Sequence, residues 1–140
     1  MSYPAFFDAV ARITLHDPLA ELLGAADKGL LDYGYVDAVK LAGHSCPTVA
    51  GAYLMTLKAL ARLYPDSLPE RGGVRVEFGA PLSEGVTGVT AAVAGLLTGA
   101  AGEGGFKGLG GRFSRRDLLT FAAGNAADVR FSRLDTGARA

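Results

Sequence analysis

Gly43-His44-Ser45-Cys46-Pro47-Thr48-Val49-Ala50-Gly51-Ala52-Tyr53-Leu54 contains the start of the clearest helix in the chain. Pro47 suits a first helical turn, where its fixed φ is already helical and its missing N–H is not needed. Val49, Ala50, Tyr53, Leu54, Leu57, Leu60 and Ala61 then recur at helical spacing, so residues 48–63 form a helix with a broad apolar face. Tyr64-Pro65-Asp66 stops it, because a proline cannot continue the hydrogen-bond ladder.

A broad apolar face needs a second layer, and the flanking segments supply one. Residues 73–78 alternate, with Val74, Val76 and Phe78 on one face and Arg75 and Glu77 on the other, which is the period of a half-buried strand. Ser83-Glu84 then opens a helix over 85–97 rich in small residues (Gly85, Gly88, Ala91, Ala92, Ala94, Gly95), which lets other backbone come close. Residues 117–121 and 128–134 read as strands able to pair as a hairpin across Gly124-Asn125. Upstream, Phe6, Phe7, Val10 and Ile13 suggest a helix over 3–15. Asp17-Pro18 is an N-cap and first residue for a short helix over 19–26. Residues 29–41 are ambiguous: Tyr33, Tyr35, Val36 and Val39 favour strand, whereas 37–41 suit a helical turn. The sum is an α+β fold with a mixed or antiparallel sheet packed against helices, in one domain over 1–140.

Composition narrows the classes of function. Acidic and basic residues balance at 14 each, which offers no net field for nucleic acid or an acidic membrane surface. One cysteine excludes an intramolecular disulfide framework and any zinc knuckle built from several thiolates. No segment is apolar enough for long enough to span a bilayer; residues 86–101 come nearest and are broken by glycines and threonines. Met1-Ser2-Tyr3-Pro4 lacks the basic and apolar regions of a secretion signal, so a cytoplasmic protein is expected.

The scarce reactive residues gather at the helix start. Cys46 is the only cysteine and His44 one of two histidines. The thiolate is both nucleophile and metal ligand, and a helix N-terminus favours it through unpaired N–H groups and the helix dipole. The bland reading is a buried structural cysteine. His44 and Cys46 can face one metal from a turn, and two ligands are too few for a tight site. His16 is the remaining imidazole and the candidate third ligand, against the alternative of a loop residue beside the Asp17 cap. A His-His-Cys set with an open position suits zinc or another borderline divalent metal. Glu84 stands at a helix start as a ligand, a catalytic acid or base, or simply a charge satisfying the dipole. Tyr33 and Tyr35 are candidates to line a pocket, and plain core roles are the simpler reading for both.

The glycine-dense stretch 102–112, with Lys107 and Arg112 followed by Arg115 and Arg116, has the composition of an anion-friendly lid, with Lys107 a candidate cofactor-binding residue. It lacks both the Walker and the Rossmann patterns, and a solvated loop is the simpler account.

At Gly43-His44-Ser45-Cys46-Pro47 the chain resembles the FmdE family of formylmethanofuran dehydrogenase proteins, whose members carry Gly-His-x-Cys-Pro-Gly at a helix start. The order of helix, strand and small-residue helix ending in Thr98-Gly99, and the closing Phe131-Ser132-Arg133-Leu134-Asp135-Thr136-Gly137, extend the likeness over residues 5–137. The resemblance implies an α+β core, an intertwined homodimer, and a metal or active-site role for His44 and Cys46. Ala42 replaces a histidine frequent in the family, Thr48 replaces the glycine after the motif proline, and the second family cysteine has no counterpart; Glu84 lies in that region. With Cys46 the only cysteine, the C-terminal zinc finger of some members is not expected here.

Three readings follow. In the first, the chain is a metal-binding protein, with the ion polarising a carbonyl or activating water if it is an enzyme. In the second it is a carrier of metal, haem iron or a small ligand, or an accessory subunit of a redox enzyme. In the third, Cys46 does metal-free thiol chemistry with His44 as base, which needs a group to orient the imidazole.

Overall fold

The computed structural model describes residues 2–125 and 127–140. Its architecture is α+β, with helices packed on two small sheets. A two-stranded antiparallel sheet joins β1 (Ile13–His16) to β2 (Leu30–Tyr33), with Ile13 opposite Tyr33 and His16 opposite Leu30. Between them lies the one-turn helix α1 (Pro18–Leu22). Then follow α2 (Tyr35–Ala42), α3 (Pro47–Leu63), β3 (Val74–Phe78), α4 (Thr87–Thr98), β4 (Leu119–Thr120) and β5 (Val129–Arg133).

The helix expected over 3–15 gives way to a 3-10 turn at Ala5–Ala9 and then to β1. Phe7 is buried while Phe6 is mostly exposed, so the apolar stripe is not one helical face. Ile13-Thr14-Leu15 is β-branched at two of three positions and finds a partner in β2, and pairing overrides the helical spacing. The ambiguity over 29–41 resolves into both structures. The strand runs to Tyr33, and the helix begins after Gly34, whose N–H donates to Asp37 Oδ2 at 2.8 Å.

β3 is the centre of the second sheet and carries the expected alternation, with Val74, Val76 and Phe78 buried. The hairpin expected between the last two strands does not form. β4 runs parallel to β3 on one side and β5 antiparallel on the other, in the order β4-β3-β5. The connection passes the end of β3, where Ala123 N–H donates to the Phe78 carbonyl and Gly79 N–H to the Asp128 carbonyl. An apolar strand with two open edges satisfies more backbone groups as a central strand than the last two strands would by pairing with each other.

α3 turns seven residues inward: Val49, Ala52, Tyr53, Thr56, Ala59, Leu60 and Leu63. All but Thr56, whose hydroxyl donates to the Ala52 carbonyl, divide between two cores. One gathers Leu60, Leu63, Val74, Val76, Ala94 and Phe131; the other, nearer the N-terminal end of α3, gathers Phe7, Tyr35, Val49, Tyr53, Val93 and Leu97. Burying a large side chain in either stabilises by about 1.5–3 kcal/mol. The Tyr53 hydroxyl donates to the Ala11 carbonyl at 2.6 Å, and burial pushes its pKa up to about 12.

The two sheets are linked at Asp17, which is 4% exposed. Its Oδ1 accepts from the Leu19 and Ala20 amides, as expected of an N-cap, and from Arg115 Nη2 at 2.8 Å. Its Oδ2 accepts from Arg71 Nη1 at 3.1 Å. Arg71 also donates from Nε and Nη2 to the Leu96 carbonyl near the end of α4. Burial alone would raise the carboxyl pKa. The Ala20 amide, Arg115 and Arg71 outweigh burial and hold it below the ordinary carboxylate value.

Because the folded-state value lies below the unfolded one, near about 3.9, Asp17 contributes full stability above that pH. The contribution is lost as pH falls through the lowered value. Asp17→Ala leaves two guanidinium groups without their buried partner and is expected to cost about 3–5 kcal/mol in urea unfolding at pH 7. The variant should also lose less stability than the wild type between pH 5 and pH 2, since it lacks this carboxylate.

Candidate functional site

The motif loop is built by the reversal between α2 and α3. Gly43 ends α2 with φ of 80°, a left-handed conformation in which a side chain would be strained. Its N–H donates to the Val39 carbonyl at 2.8 Å. The chain then turns through His44 and Ser45 into Cys46, which is extended at φ −152° and ψ 170° and forms the N-cap position of α3. Pro47 occupies the first turn, as the sequence predicts. Tyr35 is buried from the start of α2 and meets Ser45 Oγ at 2.7 Å through its hydroxyl. Edge-on contacts with Phe7 and Tyr53 fix its ring. Tyr35 therefore holds the motif loop to the core.

Cys46 is free and half-buried, and His44 is exposed beside it. The thiol closes no capping hydrogen bond of full geometry, yet its polar neighbours all favour the thiolate. The Val49 amide lowers the Cys46 pKa most, partial burial opposes it, and the Thr48 amide and His44 add to the lowering. His44 is shifted the other way. Its Nδ1 lies 3.1 Å from the Ala42 carbonyl, which raises the imidazole pKa, and the neighbouring Cys46 raises it further. With Nδ1–H donating to Ala42, Nε2 is the nitrogen left for a ligand or a proton. The orienting group is thus a backbone carbonyl, which no side-chain pattern reveals.

Next to His44 lies a groove of about 250 Å³, walled by Leu41 and Ala42 of α2 and by Gly88, Val89 and Val93 of α4. The remaining candidates lie elsewhere. His16, in β1, faces acidic neighbours, with Nε2 at 2.7 Å from Glu21 Oε1 and Nδ1 at 3.8 Å from Glu70 Oε1. Among the described residues no group of three or more His, Cys, Asp and Glu side chains is placed to hold a metal ion, so His16 does not join His44 and Cys46 within one chain. Glu84 is exposed in the turn before α4, which starts later than expected, at Thr87. It borders a separate cleft of about 670 Å³ with Phe78 and Asp128. Tyr33 is half-buried, with Arg71 Cζ 5.7 Å from its ring centroid. Lys107 is exposed on the glycine-dense loop. Arg115, read from sequence as part of an anion-friendly lid, is 6% exposed and pairs with Asp17.

No protein-family model, curated protein or solved structure matches the chain. Among the described residues no helix is long and apolar enough to cross a membrane.

The shifted pair predicts a specific reactivity. Iodoacetamide alkylation of Cys46 should rise with pH through a midpoint below that of an ordinary thiol, near about 8.5. His44→Ala should move that midpoint upward while the helix-end amides keep part of the lowering. An unchanged profile in His44→Ala contradicts the pairing.

Proposed function

We propose that this chain is a metal-binding protein that holds a divalent ion such as zinc on Cys46 Sγ and His44 Nε2, as its resemblance to the FmdE family implies. The observation that carries the reading is the state of the two donors. The Cys46 thiolate is favoured by the Val49 and Thr48 amides, and the His44 ring is oriented by the Ala42 carbonyl. A thiolate and an imidazole whose other nitrogen is hydrogen-bonded are the donor chemistry that zinc takes.

Two donors fill half of a tetrahedral shell, so the other positions come from outside the chain: a second copy, water or a small ligand. Exposed Leu41 and Val89 in the His44 groove supply apolar surface for a homodimer partner. The groove is smaller than pockets that bury a drug-sized ligand, which favours an ion with a small substrate over haem. A bound divalent ion would supply Lewis acidity toward a carbonyl or water. The chain's own contribution is to keep the thiolate charged and the imidazole aimed. A cytoplasmic setting, where a lone thiol stays reduced, suits such a centre.

The same pair supports a second reading, metal-free thiol chemistry by Cys46. The Ala42 carbonyl favours it, since it orients His44 as a base.

Zinc titration monitored by a competing chromophoric chelator separates them. The wild type should bind zinc, and Cys46→Ser and His44→Ala should each weaken binding by at least about tenfold to a hundredfold, the loss that removing only the hydrogen-bond partner of a ligand already causes. His16→Ala should leave affinity unchanged. Equal zinc binding in Cys46→Ser and wild type overturns the metal reading, and loss of binding in His16→Ala overturns the ligand assignment.

A further inference from the structure

A cavity of about 540 Å³ lies on the α1 side of the molecule, lined separately from the His44 groove. Its walls are apolar, with Leu19, Leu23, Leu31 and Phe106 among them, and its polar floor is the Asp17, Arg71 and Arg115 cluster. The volume falls within the range of small-molecule sites, as does the combination of apolar wall and few convergent polar groups.

The floor is not electrically balanced. Two guanidinium groups share one carboxylate, leaving one positive charge in excess. Arg71 is well supplied, since its other donors reach the Leu96 carbonyl. Arg115 is not. Although only 6% exposed, its side chain makes one hydrogen bond among the described residues, from Nη2 to Asp17, and none from Nε or Nη1. Glycines make room for the guanidinium: a Cβ at Gly99 would collide with Nη1, and a Cβ at Gly72 with Nε. Glu70 borders a neighbouring cleft that Arg115 also lines, and forms no pair with it. Among the described residues Asn125 Oδ1 is the one buried side-chain polar atom without a partner, so the unused Arg115 donors reach solvent and stay open to an anion.

We propose that this cavity binds a small monoanionic carboxylate with an apolar body, the carboxylate accepting from Arg115 and the body lying against Leu19, Leu23, Leu31 and Phe106. One negative charge neutralises the excess, and the apolar wall selects against acetate or inorganic phosphate.

Isothermal titration calorimetry of the full chain with sodium octanoate, 1-octanol, sodium acetate and inorganic phosphate tests the proposal. Octanoate should saturate at one per chain. Octanol, lacking the charge, should bind about tenfold to a hundredfold more weakly, the range for a hydrogen bond to a charged group. Acetate and phosphate should be weaker than octanoate by at least about tenfold. Arg115→Gln, checked for folding by circular dichroism, should lose the preference for octanoate over octanol. Leu23→Glu changes a residue that is 60% exposed at the rim and should weaken octanoate at least about tenfold through charge repulsion. Absence of saturable octanoate binding, equal binding of octanol, acetate or phosphate, or unchanged affinity in Leu23→Glu overturns the proposal.

Discussion

The Asp17 carboxylate is the point on which the two halves of the molecule converge. It caps α1, accepts from Arg71 ahead of β3 and accepts from Arg115 ahead of β4. Through Arg71 it also reaches the Leu96 carbonyl near the end of α4. A buried charge is tolerated only when its lone pairs are used, and here backbone amides and two guanidinium groups use them. The neighbouring backbone conforms to it: Gly72 and Gly99 take φ of 89° and 76° beside the Arg115 side chain. This one contact thus fixes the N-terminal hairpin, the end of α4 and the glycine-dense loop relative to one another.

α3 carries that rigidity to the other end. Its middle and C-terminal turns pack with β3 and β5, and its first turns pack with Phe7, Tyr35 and Val93. Cys46 therefore stands on the best-anchored helix of the fold, and the Tyr35–Ser45 contact ties down the loop that carries His44. A half-buried thiol and an exposed imidazole at the start of a well-packed helix suit the two-donor site proposed above.

Much of this was legible in the sequence because local chemistry was decisive. Pro47 and the apolar recurrence to Leu63 marked α3, and the alternation from Val74 to Phe78 marked β3. Asp17-Pro18 announced its cap. Reading failed where partners distant in sequence decided. The stripe from Phe6 to Ile13 breaks because β2 claims Ile13, and the closing hairpin yields to the two open edges of β3. In the site, proximity in sequence placed His44 beside Cys46, whereas His16, suggested by its scarcity and its place at a helix junction, sits among Glu21 and Glu70. The Ala42 carbonyl and the burial of Arg115 have no compositional signature. One is a backbone atom, and the other lies in a segment whose glycines suggested a solvated loop.

If Cys46 and His44 together supply the donors of a metal centre, as proposed, X-ray absorption at the zinc edge of the zinc-loaded protein will show both. The expected result is one sulfur bound to zinc at about 2.3 Å and imidazole nitrogen at about 2.0–2.1 Å, with the sulfur lost in Cys46→Ser. Coordination by oxygen and nitrogen alone in the wild type would contradict it.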